Sequence, residues 1–404
     1  MVFSYSNSSV VVSVIVGVAE QNLSIKGSFV TIGPTHTYIY EGIRKGYSEN
    51  QLLEIISRSS IQKSNGVSYL HSLNHISYIT GTHYLFLRSV VDRTTLPYKQ
   101  FTIPKKNGGE RNVSSPVKQL KIVQRWICTH ILADKIPHWR CFSFHKKASI
   151  LNCAREHSGA KWLIKIDIEN FFDSIKENQI YSVFKSMGYN SLVSFELARL
   201  CTLSSEISTS ELINSNTKQL PYKRQENFTT GRLPQGSPTS PMLSNLVFDS
   251  LDVIFQRLAE KKSFVYTRYA DDICFSSCQR SLGREECLQI IKIVSRILRS
   301  NNYQINRKKL KIIPPATTKS VLGLNVDWDT PKLSKQFKKR CQFHVRGITT
   351  FGLAEHAKYR RFESVYGMIK HVYGLINYCK QVEPSYGARL EILLITALEK
   401  EGFS

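Results

Sequence analysis

Phe264-Val265-Tyr266-Thr267-Arg268-Tyr269-Ala270-Asp271-Asp272-Ile273-Cys274-Phe275-Ser276 sets two runs of aromatic and β-branched residues on either side of a bare pair of carboxylates. Such a stretch predicts a β-hairpin with Asp271-Asp272 at its tip. Asp is a common turn residue, and on one reading the pair marks only a reversal of the chain. Two acidic side chains held together on a rigid hairpin also repel. A divalent cation, which prefers hard oxygen ligands, relieves that repulsion best. The metal reading requires a third carboxylate.

Trp162-Leu163-Ile164-Lys165-Ile166-Asp167-Ile168-Glu169-Asn170-Phe171-Phe172-Asp173 supplies one, because an apolar strand ends there in Asp167 and runs on into an aromatic pair. If that strand neighbours the hairpin in one sheet, Asp167, Asp271 and Asp272 converge on a metal pair. Such a pair stabilises the attacking and leaving oxygens of nucleotidyl transfer.

Tyr269-Ala270-Asp271-Asp272, preceded by Leu233-Pro234-Gln235-Gly236-Ser237-Pro238-Thr239-Ser240-Pro241 and by Asp167 with Phe171-Phe172, resembles the reverse transcriptases. Within them it is most similar to the bacterial retron and group II intron-like branch. The resemblance runs in order over about residues 80 to 380. It implies an α+β right-hand polymerase with fingers, a ferredoxin-like palm of antiparallel sheet plus helices, and a helical thumb.

Composition agrees with a nucleic-acid partner. The 404 residues allow two or three packed subdomains, and 42% apolar with 21% charged residues is a globular balance. Lys and Arg number 55 against 31 Asp and Glu, a net charge of +24, which suits a polyanion. A membrane surface is the other polyanionic candidate, but no apolar run approaches the roughly 18 residues needed to span a bilayer. Val10–Val18 is apolar with no cation before Lys26, and it reads as a short strand rather than a leader. Nine cysteines without a Cys-x-x-Cys pair read as reduced thiols of a cytoplasmic protein.

The chain then divides into an N-terminal extension over 1–95, fingers over 96–160, a palm over 161–330 and a basic helical thumb over 331–404. The extension shows strands at 10–18 and near 28–40 and a helix over Ser48–Ser57. Two short helical patterns follow around Thr80-Gly81-Thr82; their spacing resembles a helix-turn-helix, and packing beside the polymerase core is the preferred reading. The palm carries a polar insertion at about 202–230 and a primer-grip hairpin at about 320–328. Between 331 and 380, eleven Lys and Arg stand against two acidic residues, interleaved with Phe343, Tyr359, Phe362, Tyr366 and Tyr373, as a duplex-gripping surface requires.

By resemblance, Asp167, Asp271 and Asp272 hold two Mg²⁺ ions. Lys105 and Arg111, on a hairpin with a glycine turn, hold the incoming deoxynucleoside triphosphate, with Lys106 in place of Lys105 if the register slips by one. Phe172 is the aromatic plate beneath the incoming sugar, while Gln235 and Gly236 lie under the nascent base pair. Lys309, or Lys308 beside it, protonates the departing pyrophosphate. Two retron signatures are imperfect: Cys153 stands where Asn is usual ahead of Ala154 and His157, and Leu322 interrupts the usual Val-Thr-Gly of the primer grip. The implied activity is RNA-directed DNA synthesis on a non-coding RNA template in antiphage defence, with a DNA product or primer. A retron enzyme making RNA-linked single-stranded DNA and a non-catalytic RNA-binding scaffold are the alternatives. An effector protein or a second polymerase is the implied protein partner.

Overall fold

Alternating side chains decide the central sheet. In the computed structural model, which describes residues 35–105, 108–204 and 230–402, Trp162–Glu169 forms a strand whose odd-numbered residues face one way and whose even-numbered residues face the other. Numbering strands along the chain, β1 is Tyr98–Pro104, β2 Glu110–Pro116, β3 Trp162–Glu169, β4 Val265–Tyr269 and β5 Asp272–Ser277. Then come β6 Gln304–Ile305, β7 Lys311–Ile313, β8 Ser320–Val321, β9 Leu324–Asn325 and β10 Lys332–Leu333. The main sheet runs β4-β5-β3-β6, with β7 also paired to β3, and the β3–β5, β4–β5 and β3–β7 ladders are antiparallel.

The chain forms two compact units that are not contiguous in sequence. One comprises residues up to Trp139 with Phe144–Lys146 and Glu169–Leu251; the other comprises Arg140–Ser143, Lys147–Ile168 and Asp252–Ser404.

The second unit contains the sheet. Ile164, Ile166, Tyr266, Ile273 and Phe275 fill the sheet face that packs on the second half of helix Ser240–Lys261, where Phe255 meets Tyr266 at 5.8 Å between ring centroids. Leu163 and Cys274, on the opposite face, join a second buried cluster with Val321 and Leu324 of the β8–β9 hairpin. The same cluster takes in Val345, Met368, Val372 and Leu394 from the helices Lys335–Phe351, Val365–Val382 and Pro384–Lys400. Burial of these large apolar side chains, each worth about 1.5–3 kcal/mol, fastens the helical bundle to the sheet.

In the first unit, β1 and β2 pair over seven residues, closed by Gly108 and Gly109 at φ +84° and +83°, a left-handed geometry that favours glycine. Leu73–Thr80 and Tyr84–Val91 are two short helices separated by Gly81 in the left-handed region, and they bury Ile76, Leu87 and Val90. Ser48 caps the helix Glu49–Ser64, which continues past the expected Ser57 because apolar residues recur to Ile61. The strand expected near 28–40 is corrected over its second part: Thr35–Arg44 is helical. The strand expected at 10–18, Lys106 and residues 205–229 of the polar insertion lie outside the described residues.

Candidate active site

Register brings the carboxylates together. In the β3–β5 ladder Asp167 and Asp272 are directly opposite, so their side chains share one face of the sheet, and Ile168 N–H donates to Asp271 O at 3.1 Å. Asp271 occupies the turn between β4 and β5, where Tyr269 pairs with Asp272. The other turn residue, Ala270, has φ +56°, a conformation that costs a non-glycine residue about 1–2 kcal/mol. Two contacts hold it: Ala270 N–H donates to Ser143 Oγ at 2.9 Å, and the Arg268 guanidinium donates to Ala270 O at 3.3 Å.

Arg268 is itself anchored. It lies on the apolar, helix-facing side of the sheet, fully buried, and makes a two-pronged pair with Asp252, Nε to Oδ1 at 2.8 Å and Nη2 to Oδ2 at 2.6 Å. The Tyr266 hydroxyl donates to the same Oδ1 at 2.6 Å. On the other face, His157 is 1% exposed and bridges the two hairpin strands, with Nδ1 2.6 Å from Ser276 Oγ and Nε2 2.6 Å from Thr267 Oγ1. The aspartate-bearing turn is thus braced from both sides.

The electrostatics are those of crowded carboxylates. Burial first, then the Asp272 and Asp167 charges, push Asp271 up to about 6, against relief from its own backbone N–H and Lys309. Asp272 is likewise raised, by burial and then by Asp167. Asp167 is buried and accepts a 2.7 Å hydrogen bond from Lys309 Nζ, an ion pair that raises the lysine. The turn that carries Lys309 is docked through Asn306 N–H on Asp167 O at 2.8 Å. Of the two lysines read from the sequence, Lys309 reaches the carboxylate, while Lys308 is exposed without such a contact.

As they stand, no three His, Cys, Asp or Glu side chains among the described residues are arranged to hold a metal ion. The donor set nonetheless suits a hard divalent cation: two register-paired carboxylates and a third in the adjacent turn, with Asp271 and Asp272 raised first by burial and then by their acidic neighbours.

The remaining expected site residues fall in the other unit. Lys105 and Arg111 are exposed near the tip of the β1–β2 hairpin, Arg111 opposite Ile103, and Lys105 N–H donates to Gly109 O at 2.9 Å. Gln235 and Gly236 lie against the same hairpin: Ser114 N–H donates to Gln235 O at 2.7 Å. A Cβ on Gly236, at φ +119°, would meet Val113 Cγ1 at 2.8 Å and Ser114 O at 3.1 Å, so glycine is required there. The aromatic pair divides its labour. Phe171 is buried edge-on against Phe248, whereas Phe172 is half-buried, 5.7 Å from Phe171 and 6.4 Å from Phe144.

Residues 103–326 match the family model described as "Reverse transcriptase (RNA-dependent DNA polymerase)". The retron Ec86 reverse transcriptase of Escherichia coli is 28% identical over 338 residues, which cover 83% of this chain and 92% of that protein. The retron Mx162 reverse transcriptase of Myxococcus xanthus is 28% identical over 68% of this chain but only 57% of its own length. The retron Ec73 reverse transcriptase of Escherichia coli is 27% identical, covering 75% and 88% respectively.

Proposed function

The chain belongs to the reverse transcriptase (RNA-dependent DNA polymerase) family, and on that premise we propose that it copies a dedicated non-coding RNA into DNA at Asp167, Asp271 and Asp272. The observation that carries the site is the pairing of Asp167 with Asp272 in a sheet whose adjacent turn holds Asp271. Two Mg²⁺ ions held by these carboxylates would supply charge stabilisation for the attacking 3′-hydroxyl oxygen and the departing pyrophosphate.

The chain's own groups do the rest. Lys105 and Arg111 neutralise the triphosphate, Arg111 through a planar donor fork and Lys105 as a mobile point charge. Phe172 leaves its neighbour Phe171 to fill the core and presents its own ring to the incoming sugar. Gln235 and Gly236 support the nascent pair through a turn fixed on the hairpin's second strand. Lys309 carries the proton given to the pyrophosphate. Exposed aromatics stacked with cations, Phe343 under Arg360 at 5.4 Å and Tyr366 under Lys370 at 4.3 Å, suit single-stranded loops of a structured RNA.

The similarity to retron reverse transcriptases supports a retron enzyme, and we read its product as RNA-linked single-stranded DNA, its role as antiphage defence and its protein partner as an effector. No helix among the described residues is long and apolar enough to cross a membrane, and all nine cysteines are free, as a reducing cytoplasm requires. Primer extension on an RNA template, with Mg²⁺ and with chelator, separates an enzyme from an RNA-binding scaffold. Sequencing the nucleic acid that survives a high-salt wash tests the dedicated template: one transcript should dominate, and a pool mirroring total cellular RNA would remove that idea.

A further inference from the structure

The sheet face that carries Asp167 and Asp272 also carries two lysines. Lys165 lies two residues before Asp167 on β3 and therefore points to the same side. Its register partner is Cys274 on β5 and, across the other edge of β3, Lys311 on β7. Like charges placed directly opposite in an antiparallel pair destabilise it. Lys165 is also half-buried, and among the described residues neither amine has an ion pair or a side-chain hydrogen bond. Just beyond it the face closes over, where Leu163 and Cys274 pack under Val321 and Leu324. The lysines form a cationic ledge between the aspartates and that apolar wall. Among the described residues no carboxylate lies within ion-pair distance of either amine, although the Lys165 charge still reaches Asp272.

We propose that Lys165, with Lys311 beside it, seats a phosphodiester of the strand whose 3′ end is presented to the aspartates, and so acts as a positioning residue. Two residues of strand separate Lys165 from Asp167 by about 6.6 Å, and the lysine stem then reaches a linkage close behind the reacting hydroxyl. A bound phosphate offsets the like-charge conflict and gives the Lys165 amine a hydrogen-bonding partner. The Lys165 charge also reaches the aspartates, where it opposes the upward shift of Asp272 without forming an ion pair with it.

The inference rests on the polymerase reading, and its test separates the two. Equilibrium binding of a primer–template is measured against salt for wild type, K165Q, K165R and K311Q, with primer extension run alongside. K165Q should bind about tenfold more weakly, with the slope of log affinity against log salt reduced by about one. K165R should bind nearly as wild type, and K311Q should shift in the same direction as K165Q but less. A neutral methylphosphonate placed at each of the last primer linkages in turn should cost the wild type about tenfold at one position and cost K165Q nothing further there. Wild-type affinity and salt slope in K165Q would overturn the proposal. So would the same methylphosphonate profile in both proteins, or a K165Q defect confined to the pH profile of kcat, which would assign Lys165 to Asp272 alone. Binding without extension by the wild-type protein would instead count against the polymerase reading and leave the ledge to be judged on binding.

Discussion

Lys309 Nζ stands 2.7 Å from Asp167 Oδ2, so the carboxylate expected to hold metal is covered by the protein's own cation. The lysine side chain is 60% exposed and hinged on a turn, free to leave when a divalent ion arrives, whereas Asp167 is fixed in β3. This arrangement gives K309A two effects of opposite sign. Removing the competing cation should lower the Mg²⁺ concentration for half-maximal activity, while loss of the acid should reduce kcat by about a hundredfold or more. A Mg²⁺ titration of primer extension reads both. No change in either quantity would remove Lys309 from the chemistry.

Asp271→Asn should abolish synthesis, on the order of a thousandfold or more, while fold and RNA binding persist. The crowding of carboxylates adds a sharper expectation. Because burial and its neighbours hold Asp271 up to about 6, its charged form is a liability to the metal-free fold above that pH. D271N should therefore melt at the same or a higher temperature than wild type in Mg²⁺-free buffer at pH 8. A variant that keeps a tenth of the activity would sink the ligand assignment.

Phe172→Val should admit a 2′-hydroxyl and raise ribonucleotide incorporation relative to deoxyribonucleotide. The half-buried Phe172 ring contributes less to packing than buried Phe171, so the fold should tolerate the change. Competition between the two nucleotide classes in single-nucleotide extension measures the ratio. Unchanged discrimination in a folded variant returns Phe172 to the aromatic cluster with Phe144.

Much of this site was legible because its signals are local. An apolar run over 162–169 and two aromatic and β-branched runs over 264–276 marked the three strands, and the acidic pair marked the turn of the hairpin. The third carboxylate was found because it ends an apolar run. What escaped the sequence depends on pairing between distant segments. Asp252 answers Arg268 from a helix, and the only local hint is a cation at an apolar-facing strand position, where burial demands a partner. Ser143 meets Ala270 from 127 positions away. Lys165 and Lys311 become neighbours only through β7, whose three residues carry no periodicity of their own. Lys309 could be told from Lys308 only once Asn306 had fixed the turn on Asp167. The two compact units interleave along the chain.

His157 stood out only as one letter of an imperfect signature, yet its position makes stability depend on pH in a defined direction. Buried between Thr267 and Ser276, it is held down to about 3 by desolvation first and by Arg140 second, so the folded protein keeps a neutral imidazole. The unfolded chain binds the proton near pH 6.5. Above that pH neither state takes up the proton and His157 leaves stability unchanged; as pH falls from 6.5 toward 3 only the unfolded state does, and stability is lost. At pH 5 the loss is about 2 kcal/mol by linkage. His71, His75 and His344 are also depressed and add to the acid sensitivity, while Glu196, raised to about 7 by burial, works in the opposite sense. The wild-type profile alone therefore cannot isolate His157, but its difference from H157Q can. Glutamine cannot titrate, so the gap in melting temperature between wild type and H157Q should be constant above pH 7. That gap should shrink steadily as pH is lowered to 5, wild type losing ground by one proton's worth. A gap that stays flat across pH 5 to 7 would mean that His157 titrates alike in both states and that the hairpin brace is not the buried neutral pair described here.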